Sequence, residues 1–427
     1  MSSISSLPRT PAGGAAPRVP DRIAVLDVLR GLAMLGMFVV HFNYFESTPS
    51  GVEPAAAFME RTINLFFGGR FYAMFCLLFG VGFAVQLARA DVRGERFVPR
   101  YLRRLFALAV FGFIADGVFR YNVLFALALW GLPLLLVRRW PTRALIALLV
   151  LCAASRPLSD LARIAIYSTR ADGMAQLAAA NHEAMRRFDT ALEKVDAAEK
   201  SGEWRTVIAA RIAFMPAYHR RWSVLPAETF TLFLIGLIAF RLVLFDRPER
   251  HRRLIVSLMI GGAVSWAVAT WVLPIGGPPA PSPPDSSAVL HTATTIARTN
   301  AFRLVRAQWL VFTYVGAILL LVLRDAAWLG RLAPVAWAGR MALTHYMVQV
   351  ILLDVLFTPH GFDLTVPTPM VFIGPLLLFA AQVMVSRWWL ARFSHGPLEW
   401  VWRWFTYWKR PALRREVATT EPLAAPA

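Results

Sequence analysis

Apolar residues in this chain come in runs of 15 to 27 residues separated by short basic turns, not in the short amphipathic stripes of a soluble helix bundle. Runs of that length match the roughly 30 Å of hydrocarbon that an α-helix of about 20 residues must cross. Such runs fall at 23–45, 62–88, 102–118, 121–137, 141–155, 228–245, 254–274, 307–324, 333–357 and 368–391. The pattern predicts an all-α, polytopic integral membrane protein with about ten transmembrane helices. It divides the chain into a disordered N-terminus (1–22), an N-terminal bundle (23–155), an outer segment (156–226), a C-terminal bundle (227–408) and a basic tail (409–427). In the outer segment, Met174 to Ala213 is rich in Ala, Glu, Lys and Arg at helical spacing, which predicts two amphipathic helices capping the bundle. The stretch 274–287 is a Pro-rich outer loop. No inverted repeat or pair of broken helices is evident along the chain.

Composition agrees with this reading. Hydrophobic residues make up 57% of the chain and charged residues 17%, against about 25% charged in an ordinary globular protein. The net charge of +19 lies in turns between apolar runs, where it orients spans, so nucleic acid is not an expected partner. With both termini cytoplasmic, the short inner segments hold 25 Lys and Arg and the short outer loops hold five. That is a strong positive-inside signal. Cys76 and Cys152 sit in apolar runs and read as small hydrophobes, with no metal-ligand spacing anywhere. The polar start leads into a full-length span instead of a cleavable leader. The aromatic-basic sequence from Trp400 to Arg415 fits an interfacial helix held to anionic lipid.

Ionisable groups inside spans are costly and therefore mark function. The first run carries Asp27, Arg30 and His41. Arg30 and His41 are eleven residues apart, so on a helix they lie about 20° and roughly 16 Å from each other. Asp27 and Arg30 form an i, i+3 pair at the inner end. Arg30 could hold phosphate, and a neutral imidazole at His41 could take a proton. Arg70 and Tyr72 open the second run in a glycine-flanked, aromatic context. Arg103 and Arg104 begin the third at the inner surface, as anchors or as phosphate contacts. In the ninth run His345 and Gln349 are one turn apart with Thr344 and Tyr346 beside them, and Arg340 is turned about 140° away. They either bond neighbouring helices or line a pocket. Glu399 is expected to pair with a base at the inner interface. The other histidines, 182, 219, 251, 291, 360 and 395, fall in loops or at helix ends.

Several stretches resemble a known family. RIAVLDVLRGLAMLGMFVVHF (22–42), GGRFYAMFCLLFGVGF, YLRRLFALAVFG, GEWRTVIAARIAF (202–214), WAGRMALTHYMVQ (337–349) and FSHGPLEWVWRWFTYWK (393–409) are similar to the bacterial YeiB-like family, domain of unknown function 418. The first-helix pattern is shared with acyltransferase family 3 and the heparan-α-glucosaminide N-acetyltransferases. The resemblance implies a bacterial inner-membrane location and acyl transfer from acyl-CoA to a hydroxyl or amino acceptor. It implies His41 as catalytic base and Arg30, Arg103 and Arg104 as donor-binding residues. The sequence departs from the YeiB-like pattern at His345, where Asn is common.

The resulting expectation is a membrane acyltransferase with catalytic His41 and His345. The donor or acceptor would be bound by Arg30, Arg70, Tyr72, Arg103, Arg104, Arg340 and Gln349, with Asp27 and Glu399 structural. Acyl-CoA is the expected donor, no metal is required, and the partners are the bilayer, a sugar, lipid or small-molecule acceptor, and a second copy of the chain. A transporter and a non-catalytic scaffold are the rival readings. For the catalytic reading, the orienting partner of His41 is expected to be His345 or Gln349.

Overall fold

The computed structural model describes residues 24–45, 54–118, 122–170, 172–223, 226–271 and 309–414. The expected N-terminal tail, the Pro-rich loop 274–287 and the tail beyond 414 lie outside the described residues. Within them the named elements are all helices, and Phe393 and Arg414 form one isolated bridge. The helices are α1 (Ala24–Phe45), α2 (Pro54–Phe66), α3 (Arg70–Val92), α4 (Phe97–Val118), α5 (Leu124–Gly131), α6 (Leu134–Val137) and α7 (Thr142–Ser168). They continue as α8 (Gly173–Ser201), α9 (Trp204–Ser223), α10 (Pro226–Arg241), a short 3-10 turn (Pro248–His251) and α11 (Arg252–Trp271). The C-terminal part holds α12 (Leu310–Arg324), α13 (Ala327–Arg331), α14 (Ala333–Arg340), α15 (Ala342–Phe357), α16 (Met370–Arg392) and α17 (Pro397–Tyr407).

Four stretches are long and apolar enough to cross a membrane: Ala24–Tyr44, Pro54–Val92, Pro248–Trp271 and Met370–Arg392. Two bent pairs raise the number to six if each is one span. The first pair, Thr142–Ser155 and Leu158–Ser168, bends by 42°. The run expected to end at 155 therefore continues as helix to Ser168.

The second pair corrects the expectation that no helix is broken. The run 333–357 is two helices, Ala333–Arg340 and Ala342–Phe357, meeting at 79°. Met341 lies between them with φ −112° and ψ 30°, outside the helical region. A new helix start in apolar surroundings exposes backbone N–H groups that water cannot reach. Glu399, from the start of α17, satisfies them: its Oε1 accepts from Leu343 N at 2.7 Å and Thr344 N at 3.1 Å, and its Oε2 accepts from the Thr344 hydroxyl at 2.5 Å. Glu399 thus pairs with a helix N-terminus and not with the base expected from the sequence, because the positive end of the helix dipole takes that role. Burial pushes its carboxyl up, and the bonds from Thr344 and Leu343 pull it back down.

The bundle is drawn together by close backbone approaches. Gly80 of α3 lies against the Phe233 carbonyl of α10, and Gly236 of α10 lies against the Leu77 carbonyl of α3. A side chain at either position would collide with backbone, so only glycine permits this reciprocal contact. Gly31 and Gly339 bring α1 and α14 equally close, at Val335 and Asp27 respectively. The apolar core runs continuously through these helices, from Leu29, Met34 and Phe38 to Phe233, Val311 and Val350.

The polar segment from Met174 to Ala213 folds into α8 and most of α9, a helical hairpin with its own small core of Val195, Phe214 and Tyr218. Arg211, buried at 1% exposure, fastens the hairpin to the bundle. Its Nε donates to Glu199 Oε1 at 3.0 Å, its Nη2 donates to Asp354 Oδ1 of α15 at 2.7 Å, and its Nη1 donates to the Val118 carbonyl that ends α4.

The cap at the helix break yields a stability prediction. Glu399→Ala strands two backbone donors and should cost about 1–3 kcal/mol, the penalty of leaving buried groups unpaired. Glu399→Gln keeps an acceptor oxygen and should cost clearly less. Thermal unfolding of both variants in detergent measures this, and equal stability of Glu399→Ala and the parent would show that the break is held by other contacts.

Candidate functional site

The broken helix places its polar residues at three depths. Near the start of α1, Asp27 and Arg30 form the expected pair at 2.9 Å, with Arg30 partly exposed. Arg104 lies over the ring of Trp402 at 3.8 Å, and the indole of Trp402 donates to the Arg104 carbonyl at 2.9 Å. Arg103 faces Trp408 at 5.9 Å. The charges of Arg30 and Arg403 both act on Arg104, so three guanidiniums share one region under the aromatic face of α17. Arg403 and the aromatic ceiling were absent from the expected donor site; the WVWRWF pattern was the only signal, and it read as a lipid-surface helix. Arg340 and Arg403 also act on His395, whose imidazole burial and these two charges push down to about 4.

In the middle, α15 is tied to α16. His345 Nε2 meets Ser386 Oγ at 2.5 Å, and that hydroxyl donates to the Gln382 carbonyl at 2.8 Å. The serine proton is thus spent on backbone, which makes His345 Nε2 the donor. Gln349 Nε2 donates to Gln382 Oε1 at 2.8 Å. Sequence reasoning placed both residues as partners for His41, but these bonds turn them towards α16.

The ring that meets His41 belongs to Tyr346, edge-on at 5.9 Å between centroids. His41 is buried at 5% exposure. From Tyr346 a chain of polar groups leads towards the α8–α9 hairpin. Its hydroxyl donates to Asn122 Oδ1 at 2.9 Å; Asn122 also accepts from Leu124 N at 3.0 Å, starting α5, and donates from Nδ2 to the Gly112 carbonyl at 2.8 Å. Asp116, close enough for its charge to act on Tyr346, pairs with His219 of α9 at 3.2 Å. Beyond it, Asp354 receives Arg211 and the His360 imidazole, the latter at 3.0 Å. His219 and His360 looked like loop histidines in the sequence. Each is buried against a carboxylate, and for His219 that partner lies 103 residues away, a separation that leaves no local spacing to read.

Two expected ligand residues fall elsewhere. Arg70 is 4% exposed, and it donates to the Asn64 carbonyl at 3.0 Å and to the Gly68 carbonyl, locking the α2–α3 turn where Gly69 has φ 77°. The Tyr72 hydroxyl bonds Thr229 Oγ1 at 2.9 Å and joins α3 to α10. Neither joins the inner arginines, because α3 starts at the opposite end of the bundle from the start of α4. Among the described residues no three His, Cys, Asp or Glu side chains converge to hold a metal ion.

Residues 22–175 match the family described as heparan-alpha-glucosaminide N-acetyltransferase, catalytic, a stretch that holds His41, Arg104, Asp116 and Asn122. Two relatives align along nearly the whole length. The uncharacterized protein YxaH of Bacillus subtilis is 28% identical, covering 91% of this chain and 94% of its own. An uncharacterized 39.9 kDa protein from the amylase 3' region of Bacillus acidopullulyticus is 27% identical, with 91% and 94% covered. The uncharacterized protein YeiB of Escherichia coli is 33% identical over 17% of this chain and 19% of its own. No solved structure matches. Residues 239–409, from the end of α10 through α17 and its Glu399 cap, match the protein family of unknown function DUF418, and over that stretch the chain is similar to this family.

Proposed function

We propose that the protein is a membrane acyltransferase that moves an acyl group from acyl-CoA to a hydroxyl or amino group of a sugar, lipid or secreted small molecule. The observation that carries this reading is the position of His41. It lies within the stretch similar to an acetyltransferase catalytic region, buried against Tyr346, between an arginine-rich inner end and a polar outer chain. Arg30, Arg104 and Arg403 offer the charge-assisted, fork-shaped donors that the CoA phosphates need. In the reaction the acceptor oxygen or nitrogen bonds to the thioester carbon and the C–S bond breaks. CoA leaves as thiolate, and the acceptor's proton passes to the imidazole of His41.

This reading requires ten spans in a bacterial inner membrane, both termini inside and the α8–α9 hairpin outside. The two short apolar helices, Leu124–Val137 and Leu310–Arg324, and the helices α4 and α10 would complete that number beside the six stretches above. One feature favours the rival reading of a transporter, namely the 79° break before α15, since discontinuous helices line transport paths. Consumption of acyl-CoA separates the two.

Three tests follow. In lipid nanodiscs with radiolabelled acetyl-CoA and a panel of amino sugars and polyols, His41→Ala should lower transfer by about two to four decades. Donor binding should be unchanged, and full activity in that variant would sink the mechanism. Replacing Arg104 with Gln should weaken acetyl-CoA binding about tenfold to a hundredfold, the loss of one charged phosphate contact. An unchanged dissociation constant would make Arg104 a plain anchor. For topology, a cysteine placed at Ser201 in a chain lacking Cys76 and Cys152 should react with an impermeant maleimide in intact spheroplasts. Reaction only after permeabilisation would invert the orientation.

A further inference from the structure

α17 has two faces. Glu399, Trp402 and Thr406 share one stripe of the helix, and Trp400, Trp404 and Tyr407 share another. The first faces the protein: Glu399 caps α15, Trp402 covers Arg104, and Thr406 is 2% exposed. The second is open, with Trp404 47% and Tyr407 38% exposed, and exposed aromatic surface of this kind marks an interaction site. After α17 the chain reverses at Trp408, where φ is 53°, and runs back along the start of the helix as a strap. The Leu413 carbonyl accepts from Ser394 N at 2.8 Å, and the Pro411 carbonyl accepts from the Trp400 indole at 2.8 Å. Arg414 bridges to Phe393, next to Arg392, and Arg410 lies over the Trp400 ring at 5.5 Å. Arg392, Lys409, Arg410 and Arg414 are all exposed. The one carboxylate within residues 392–414 is Glu399, and both its oxygens are bonded at α15. The open stripe and the strap thus combine rings with cations that keep their charge.

The depth of this face follows from α16. Met370–Arg392 is long and apolar enough to cross a membrane, and it ends with Trp388 54% exposed and Arg392 over its ring at 4.8 Å. Aromatic and basic residues at the end of a span mark the membrane–water boundary. α17 starts at Pro397, five residues after Arg392, so its open stripe lies at headgroup level.

We infer that the open stripe of α17 and its strap bind the headgroups of anionic phospholipid, and that this contact holds α17 against the helix break it caps. The lipid phosphates meet Arg392, Lys409 and Arg410, as basic residues beside a charged leaflet do. Trp404 and Tyr407 take the glycerol and upper acyl region, where amphipathic rings partition. The lipid stripe and Glu399 sit on one helix of 11 residues, so lipid that steadies the stripe also steadies the cap. The anionic leaflet then acts as an effector of the break before α15, a role separate from any substrate at His41.

The test needs no acyl donor. Full-length protein is placed in nanodiscs of phosphatidylcholine, with or without phosphatidylglycerol, and amide hydrogen exchange of its peptides is followed by mass spectrometry. Phosphatidylglycerol should slow exchange several-fold in peptides covering 397–414 and 342–346, and leave α8 unchanged. High salt should cancel the slowing, because it screens exposed charges. Replacing Arg392, Lys409 and Arg410 together with Gln should abolish it. If that variant fails to assemble, the lipid and salt comparisons on the parent chain decide. Equal exchange in the two lipids, or slowing that extends to α8, overturns the surface. Slowing at 397–414 without slowing at 342–346 overturns the hold on the break. Glycerol phosphate added to the phosphatidylcholine discs should have no effect; slowing by it would move the site to soluble anions and overturn the lipid assignment. Since acetyl-CoA is absent, these outcomes are independent of the His41 and Arg104 assays.

Discussion

The polar contacts of α15 depend on one break in the backbone. α15 leaves α14 at 79°, and it can do so only because Glu399 takes up the N–H groups of Leu343 and Thr344 that the break exposes. In a bilayer no water would do this, and an uncapped start would cost about 1–3 kcal/mol. The angle then decides which neighbour each α15 side chain meets. His345 and Gln349 reach α16, Tyr346 reaches α1 and Asn122, and Asp354 reaches the outer hairpin. A straight helix through 333–357 would distribute the same residues differently.

The two ends of the bundle are built on opposite electrostatic terms. At the end where α4 starts cations gather beside aromatic rings, Arg104 on Trp402 and Arg403 on Tyr407, while Arg100 is paired with Glu95 and Arg30 with Asp27. Rings hold a guanidinium in place without neutralising it, so the positive field is kept for an anion. At the end that carries α8 and α9, buried carboxylates have a cation or imidazole within reach: Asp354 with Arg211 and His360, Asp116 with His219. Arg211 shows what full satisfaction looks like, with bonds to two carboxylates and a carbonyl.

His41 connects the two ends. It sits on α1, which the Gly31 and Gly339 contacts draw close against α14, and its ring rests on the tyrosine that starts the outward chain.

The sequence by itself determined the membrane class, the helices, the amphipathic hairpin and the Asp27–Arg30 pair, because hydrophobic run length, helical periodicity and i, i+3 spacing are local quantities. It also singled out His41, since an ionisable group deep in an apolar run is costly wherever the helix goes. The turn locked by Arg70, the cap made by Glu399 and the pairing of Asp116 with His219 were decided only by the tertiary structure. Their partners lie from 2 to 103 residues away and are chosen by which helix ends meet. A carboxylate that seeks a base in the sequence finds a helix N-terminus in the fold. A histidine that reads as a loop residue becomes buried once its hairpin closes on the bundle. Burial and helix-end dipoles exist only after packing, and they assigned the partners that charge and spacing alone left open.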